Sequence, residues 1–293
     1  EKIKDNDKFS LIIGTNENNE SIKIEENGLY QNILVTGTIG SGKTSSAMYP
    51  FTKQLIEYNA NNIEKIAMLI LDGKGNYCRE VLNFSKIVNR EEDVICIDIS
   101  GNIKYNPLDK PDLKPIVLAN RLRTILCLFN KNNSESYWLD KAEQILAEAI
   151  KFCRLYNDGY VDFIELHKLI MFPDYYGEKI KVVKEKFQKG LLNEVQVYDL
   201  LSCVNFFEKE FFSLDNRTFS ILKSEISRIT NIFISDYFIS KTFCPQKEEI
   251  NFKGFDEVID TGKIVVLNMN ISEYKNLSKI IATYLKLDFQ TTV

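Results

Sequence analysis

The sequence predicts an α/β fold with a mostly parallel sheet, interrupted by an all-α insert. Three observations carry that prediction. Short apolar runs at residues 32–36, 66–71 and 94–99 each lead into a turn rich in Gly, Asp or Ser. A stretch with helical spacing separates the first run from the second, the strand–loop–helix–strand order of a parallel sheet. From residue 115 to about 204 the apolar residues repeat only at helical intervals.

The elements follow in order. Residues 10–24 read as two short strands around a polar turn at 15–19. Asn32-Ile33-Leu34-Val35-Thr36 reads as a buried parallel strand, and a glycine-rich loop follows it. Residues 44–58 have helical spacing, with Met48, Phe51, Leu55 and Ile56 on one side and Pro50 bending or restarting the helix. A second buried strand at 66–71 ends at Asp72, and a third spans 94–99. After Lys104-Tyr105-Asn106-Pro107-Leu108-Asp109 the pattern changes. Leu118, Leu122, Ile125 and Phe129 recur helically, as do Leu139, Ala142, Ile145, Leu146, Ala149 and Ile150. Residues 215–234 read as a helix capped by Asp215, 263–269 as a strand after the turn at 260–262, and 272–290 as a last helix. The domain reading is therefore 1–108 for the first part of a sheet domain, 109–212 for the helical insert, and 213–293 for the return.

Composition narrows the classes. The 293 residues are 44% hydrophobic, enough for a sizeable core, and the net charge of −4 excludes a simple basic coat for nucleic acid. The single histidine, His167, excludes a His-rich metal site. Six cysteines without a CxxC pair predict free thiols in a reducing compartment. No apolar run reaches the length of a membrane span and no signal peptide is visible.

The loop is where the chemistry concentrates. Gly37-Thr38-Ile39-Gly40-Ser41-Gly42-Lys43-Thr44 fits G-x-x-x-x-G-K-[ST] throughout. Glycines let backbone N–H groups approach phosphate oxygens, and a helix starting near Lys43 turns its positive end to the same anion. Lys43 is expected on the β- and γ-phosphates of ATP, the Thr44 hydroxyl on Mg²⁺, and Ser45 beside them. Asp72, at the end of its strand, is the candidate to contact Mg²⁺ or orient the attacking water, against the plainer reading of a turn former beside Gly73 and Gly75. A GTPase is the rival. Asp72-Gly73-Lys74-Gly75 matches D-x-x-G, but Asn130-Lys131-Asn132-Asn133 lacks the final Asp of N-K-x-D that pairs with guanine.

Taken in order, these segments resemble the type IV secretion coupling proteins, the TraG/TraD group of conjugation ATPases. NILVTGTIGSGKT is similar to that family's strand and Walker A segment. LILDGKGNY resembles its D-P-K-G-E motif, with Gly73 in place of Pro and Asn76 in place of Glu. KYNPLD resembles its Y-N-P-L segment, and Tyr137-Trp138 before an alanine-containing helix resembles the start of its all-α domain. The resemblance implies a RecA-like P-loop domain with an inserted all-α domain. It implies a hexameric ATPase at the cytoplasmic face of the bacterial cell membrane, of which this piece is soluble and cytoplasmic. Such a motor recruits a relaxase–DNA complex or a secreted protein cargo to the channel components. The family's Walker B segment is expected after residue 293, so the piece alone is expected to hydrolyse ATP weakly. The alternatives are a cargo-recruiting module in which nucleotide only stabilises assembly, and a DNA translocase of the FtsK/HerA type.

Other residues carry plainer readings. Tyr137 and Trp138 read as helical core rather than a base-stacking pair. His167 reads as structural, and the lysines of 179–189 as a solvated helix face. Arg217 and Arg228 read as ordinary ion-pair residues, with action on a neighbour's nucleotide as the functional alternative.

Overall fold

A computed structural model describes residues 9–62, 64–99, 101–129 and 136–293. The described residues form a mixed α/β structure, 60% helical, with a small three-stranded parallel sheet. It divides into two compact units. The first comprises residues 1–97, 254–273 and 292–293, and the second 98–253 and 274–291.

The sheet unit opens with β1 (Ser10–Thr15) and β2 (Ser21–Glu25), an antiparallel ribbon, followed by the short α1 (Glu26–Leu29). A π-helical turn, Lys43–Met48, runs directly into α2 (Tyr49–Glu57). Pro50 explains this geometry. It has no N–H for the carbonyl four residues back and its ring crowds that carbonyl, so the turn widens. Tyr49 N–H accordingly reaches back five residues, to Thr44 O. The helix is widened at Pro50 and carries on through it.

Next come β3 (Met68–Asp72), α3 (Tyr77–Ile87) and β4 (Val94–Ile97). The sheet is completed by β5, Ile264–Asn268, which enters in register between β3 and β4. The apolar runs expected at 66–71, 94–99 and 263–269 thus supply the three parallel strands, with bounds shifted by one or two residues. Ile56, Met68, Tyr77, Cys78, Val81, Ile264 and Val266 form the core between the sheet and α2 and α3.

Two expectations fail in this unit. Residues 32–36 are not a buried strand: Ile33 and Leu34 are exposed and the segment joins no ladder. An apolar run becomes a buried strand only with a ladder partner, and β3 and β4, the outer strands, pair only with β5. Nor are all six thiols free. Cys78 and Cys96 are bonded as a disulfide, while Cys127, Cys153, Cys203 and Cys244 are free. The pairing follows from α3 packing on β4, which brings together two positions 18 residues apart.

The second unit is helical. Its elements are α4 (Pro115–Phe129), α5 (Ser136–Tyr156), α6 (Phe163–Met171), α7 (Pro173–Gln188), α8 (Glu194–Val204), α9 (Asn216–Thr230), α10 (Ile232–Ser235) and α11 (Tyr237–Phe243). In the sheet unit α12 (Asp256–Thr261) precedes β5, and α13 (Lys275–Thr292) returns to the helical unit. The helical periodicity was legible: Leu118, Leu122, Ile125, Ala142, Ile145, Leu146, Ala149 and Ile150 are all buried. Asp215 caps α9, accepting from Arg217 N–H and Thr218 N–H. The helical unit nonetheless extends beyond 109–212. Helix α9 packs on α4, α5 and α6 through Leu222, Ile226 and Ile229, so the chain returns to the sheet at residue 254, not 213. No helix among the described residues is long and apolar enough to cross a membrane.

One group in this unit predicts a pH dependence. Asp162 caps α6 by accepting from Glu165 N–H at 2.8 Å. Burial outweighs that bond and lifts its carboxyl from 3.8 to about 6. The native state therefore holds a proton that the unfolded chain releases. Stability from this group is full below pH ~4 and is lost as pH rises through about 6. Asp162→Asn keeps the cap and removes the titration. Urea midpoints from pH 4 to 8 should lose that slope, with a gain of about 1–3 kcal/mol at pH 8.

Candidate functional site: the glycine-rich loop and the Asp72 turn

The loop forms a tight cradle closed by its own lysine. Gly40 and Gly42 have φ of +82° and +83°, a left-handed conformation that side chains disfavour. Between them Ser41 N–H donates to Thr38 O at 3.2 Å. Lys43 Nζ donates to Gly37 O and to Thr38 O, both at 2.7 Å. A Cβ on Gly37 would meet Ser41 Oγ at 2.6 Å and touch Lys43 Cγ at 3.4 Å. A side chain at 37 would therefore displace the Ser41 hydroxyl.

The helical stretch begins at once. Gly42 precedes it, and Ser46 N–H makes the first bond into it, to Gly42 O at 2.7 Å. The amides of Lys43, Thr44 and Ser45 lie ahead of that bond, at the positive end of the stretch 43–57. Ser45 Oγ donates to Gly42 O at 3.2 Å. Thr44 is half-buried and Ile39 fully exposed. Residues 37–45 thus form one local unit that holds an ammonium beside the start of the helical stretch.

Asp72 is placed differently. It ends β3 and is buried, and its carboxylate is held by backbone amides of its own turn. Oδ1 accepts from Lys74 N–H at 2.8 Å, and Oδ2 accepts from Asn76 N–H and Tyr77 N–H, each at 2.6 Å. These bonds make Asp72 the organiser of the turn that starts α3, the plainer of its two readings. A carboxylate offers about four acceptor sites, so Oδ1 retains capacity for a cation. The turn is fixed from outside as well: Gly73 O accepts from Ile271 N–H at 3.1 Å.

A metal would find few protein ligands here. No group of three or more His, Cys, Asp or Glu side chains converges among the described residues. That is compatible with Mg²⁺ at a phosphate site, where one or two protein oxygens join phosphate oxygens and waters. Thr44 and Asp72 are the side chains with the chemistry to serve.

Three of the remaining candidates, Arg228, His167 and Lys179, are engaged structurally. Arg228 donates to Glu225 and to Phe129 O. His167 bonds Thr230 Oγ1 at 2.9 Å, and burial holds its imidazole below the ordinary range. Lys179 lies over the rings of Tyr156 and Tyr175. Tyr137 packs edge-on against Trp138 but is exposed, so the pair is not wholly core. Arg217 is exposed. Residues 130–133, weighed for a guanine motif, lie outside the described residues.

Two residues that motif reading did not single out bear on the site: Tyr77 and Thr52, whose hydroxyls bond at 2.7 Å between α3 and α2. Their separation of 25 residues leaves no sequence signal. No family model and no curated protein matches the chain.

Proposed function

We propose that residues 37–44 bind the triphosphate of ATP with Mg²⁺, and that the chain is the nucleotide-binding part of an ATP-driven coupling motor. The observation that carries this reading is Lys43, whose ammonium is held between Gly37 O and Thr38 O at the mouth of a helix. In the bound state γ- and β-phosphate oxygens replace those two carbonyls as acceptors. Amides of the loop and the first turn complete the cradle. Mg²⁺ supplies charge neutralisation on the phosphates, and Thr44 and Asp72 are the residues that would hold it. The D-x-x-G match belongs to the Asp72 turn and adds no guanine-recognising group, which favours ATP.

The finer reading rests on the resemblance to the type IV coupling proteins. In it the sheet unit belongs to a RecA-like motor that assembles as a hexamer. The helical unit engages a relaxase–DNA complex or protein cargo for transfer through the secretion channel. A second reading, a recruiting module without turnover, is favoured by the commitment of the Asp72 carboxylate to three amides.

Titration calorimetry tests the proposal. The chain should bind Mg·ATP, and Lys43→Ala should weaken that binding by ~10–100-fold, as loss of a charged hydrogen-bond donor does. A chain that takes up no Mg·ATP, or a Lys43→Ala variant of unchanged affinity, rejects the nucleotide reading. DNA-stimulated turnover that vanishes with Lys43→Ala separates the motor from the module.

A further inference from the structure

We propose that Tyr77 is a positioning residue that holds the Asp72 carboxylate in register with the helix behind the phosphate loop. This rests on the nucleotide reading above and concerns the same site. Tyr77 meets both halves of it at once. Its backbone N–H donates to Asp72 Oδ2 at 2.6 Å, and its hydroxyl bonds Thr52 Oγ1 at 2.7 Å. Its ring packs edge-on against Tyr49 at 5.0 Å, and Tyr49 packs in turn against Phe84 at 6.2 Å.

The two ends of this link matter. Tyr49 and Thr52 stand on the helical stretch that starts at Lys43 and continues without a break through the π turn. A displacement of the loop on binding phosphate therefore moves Thr52 with it. Asp72 cannot shift without disturbing the amides of 74, 76 and 77 that it accepts from. The Tyr77–Thr52 bond joins these two rigid pieces at a buried point. Burial holds the phenol above its ordinary range, so it stays protonated at neutral pH. The Asp72 charge also reaches Tyr49, whose phenol is raised by burial and then by Glu80 and Asp72. The carboxylate and the start of α2 are thus electrostatic neighbours.

A positioning role for a metal-directed carboxylate predicts a metal-specific defect. Tyr77→Phe keeps the ring and removes only the hydroxyl. Its Kd for Mg·ATP should rise ~5-fold, the worth of one buried hydrogen bond, while its Kd for ATP in excess EDTA stays unchanged. Thr52→Val should reproduce the defect and Thr52→Ser should restore normal binding. Tyr77→Phe/Thr52→Val should be no worse than either single change, because both remove the same bond. Circular dichroism at the assay temperature confirms that each variant is folded. Equal losses with and without Mg²⁺, or unchanged Mg·ATP affinity in Tyr77→Phe, overturn the proposal and leave the nucleotide reading standing. An unmodified chain that binds no Mg·ATP removes both.

Discussion

Replacing Arg90 with methionine should destabilise the sheet unit by about 3–5 kcal/mol, the range for breaking a buried, hydrogen-bonded charge. Arg90 is 2% exposed and its donors go to three different places. Nη1 donates to Ile56 O at 2.8 Å, Nη2 to Gly262 O, and Nε to Asp93 Oδ2 at 2.8 Å. Ile56 lies in the last turn of α2, where carbonyls have no helical partner, and Gly262 ends α12. One guanidinium therefore caps two helix C-termini, where a cation also interacts favourably with the dipoles. Methionine fills similar volume but leaves both carbonyls without this donor.

Asp93 records the same loss. Burial alone would raise its carboxyl, but hydrogen bonds from Lys65 and Arg90 outweigh that and hold it below the ordinary range. Stability from this depressed carboxyl is present above pH ~4 and is lost as pH falls through its lowered native value. Without Arg90 that acid-side dependence should shrink. Urea unfolding of the sheet unit checks the stability, and hydrogen exchange of residues 49–57 checks the mechanism. Amides of α2 should lose protection first, because α2 loses its C-terminal anchor. An Arg90→Met variant with unchanged exchange in α2 contradicts this account.

Arg90 also marks the limit of what the sequence could disclose. Apolar runs such as 66–71 and 263–269 announce strands because a buried parallel strand must be apolar on both faces, a local property. Asp215 announces a helix start because its partners are two and three residues away. The loop 37–44 was legible for the same reason: Lys43 closes on carbonyls five and six residues back. Asp93 is only three residues from Arg90, but the two carbonyls that its guanidinium caps lie 34 and 172 residues away, and nothing local points to them. Residues 32–36 erred in the opposite direction. Their composition specifies a strand, but ladder formation depends on which edge lies alongside, and that is set by the whole chain. The Asp72 turn fell between these cases. Asp at a strand end before two glycines suggests both a turn and a ligand, and only the three amide contacts reveal how fully the turn uses it.

Asp288→Asn should destabilise the helical unit by about 3–5 kcal/mol, through two buried cations left without their carboxylate. Asp288 lies on α13, and its oxygens face residues from distant parts of the chain. Lys110 Nζ reaches Oδ2 at 2.6 Å, and Arg121 Nη1 reaches Oδ1 at 3.2 Å. The side chains are 7%, 14% and 6% exposed for Asp288, Lys110 and Arg121, so solvent screening is weak. Lys110 also donates to Lys253 O, and Arg121 to Thr291 Oγ1. The cluster thus binds α13 to α4 and to the segment after Tyr105-Asn106-Pro107-Leu108. Tyr105 lies close by, its phenol pushed well above the ordinary range by burial and then by the Asp288 charge. Asparagine preserves the shape and removes the charge, so the loss isolates electrostatics from packing. The complementary triple change Lys110→Met, Arg121→Met, Asp288→Leu replaces the cluster with apolar side chains and should recover most of the stability, since no buried charge is then left alone. Trp138, the only tryptophan, lies on α5 and reports on this unit by fluorescence. A Trp138 unfolding midpoint in urea that falls sharply for Asp288→Asn and returns for the triple variant would establish the cluster as a charge-balanced clasp. A triple variant as weak as the single one would instead assign the loss to packing at α13.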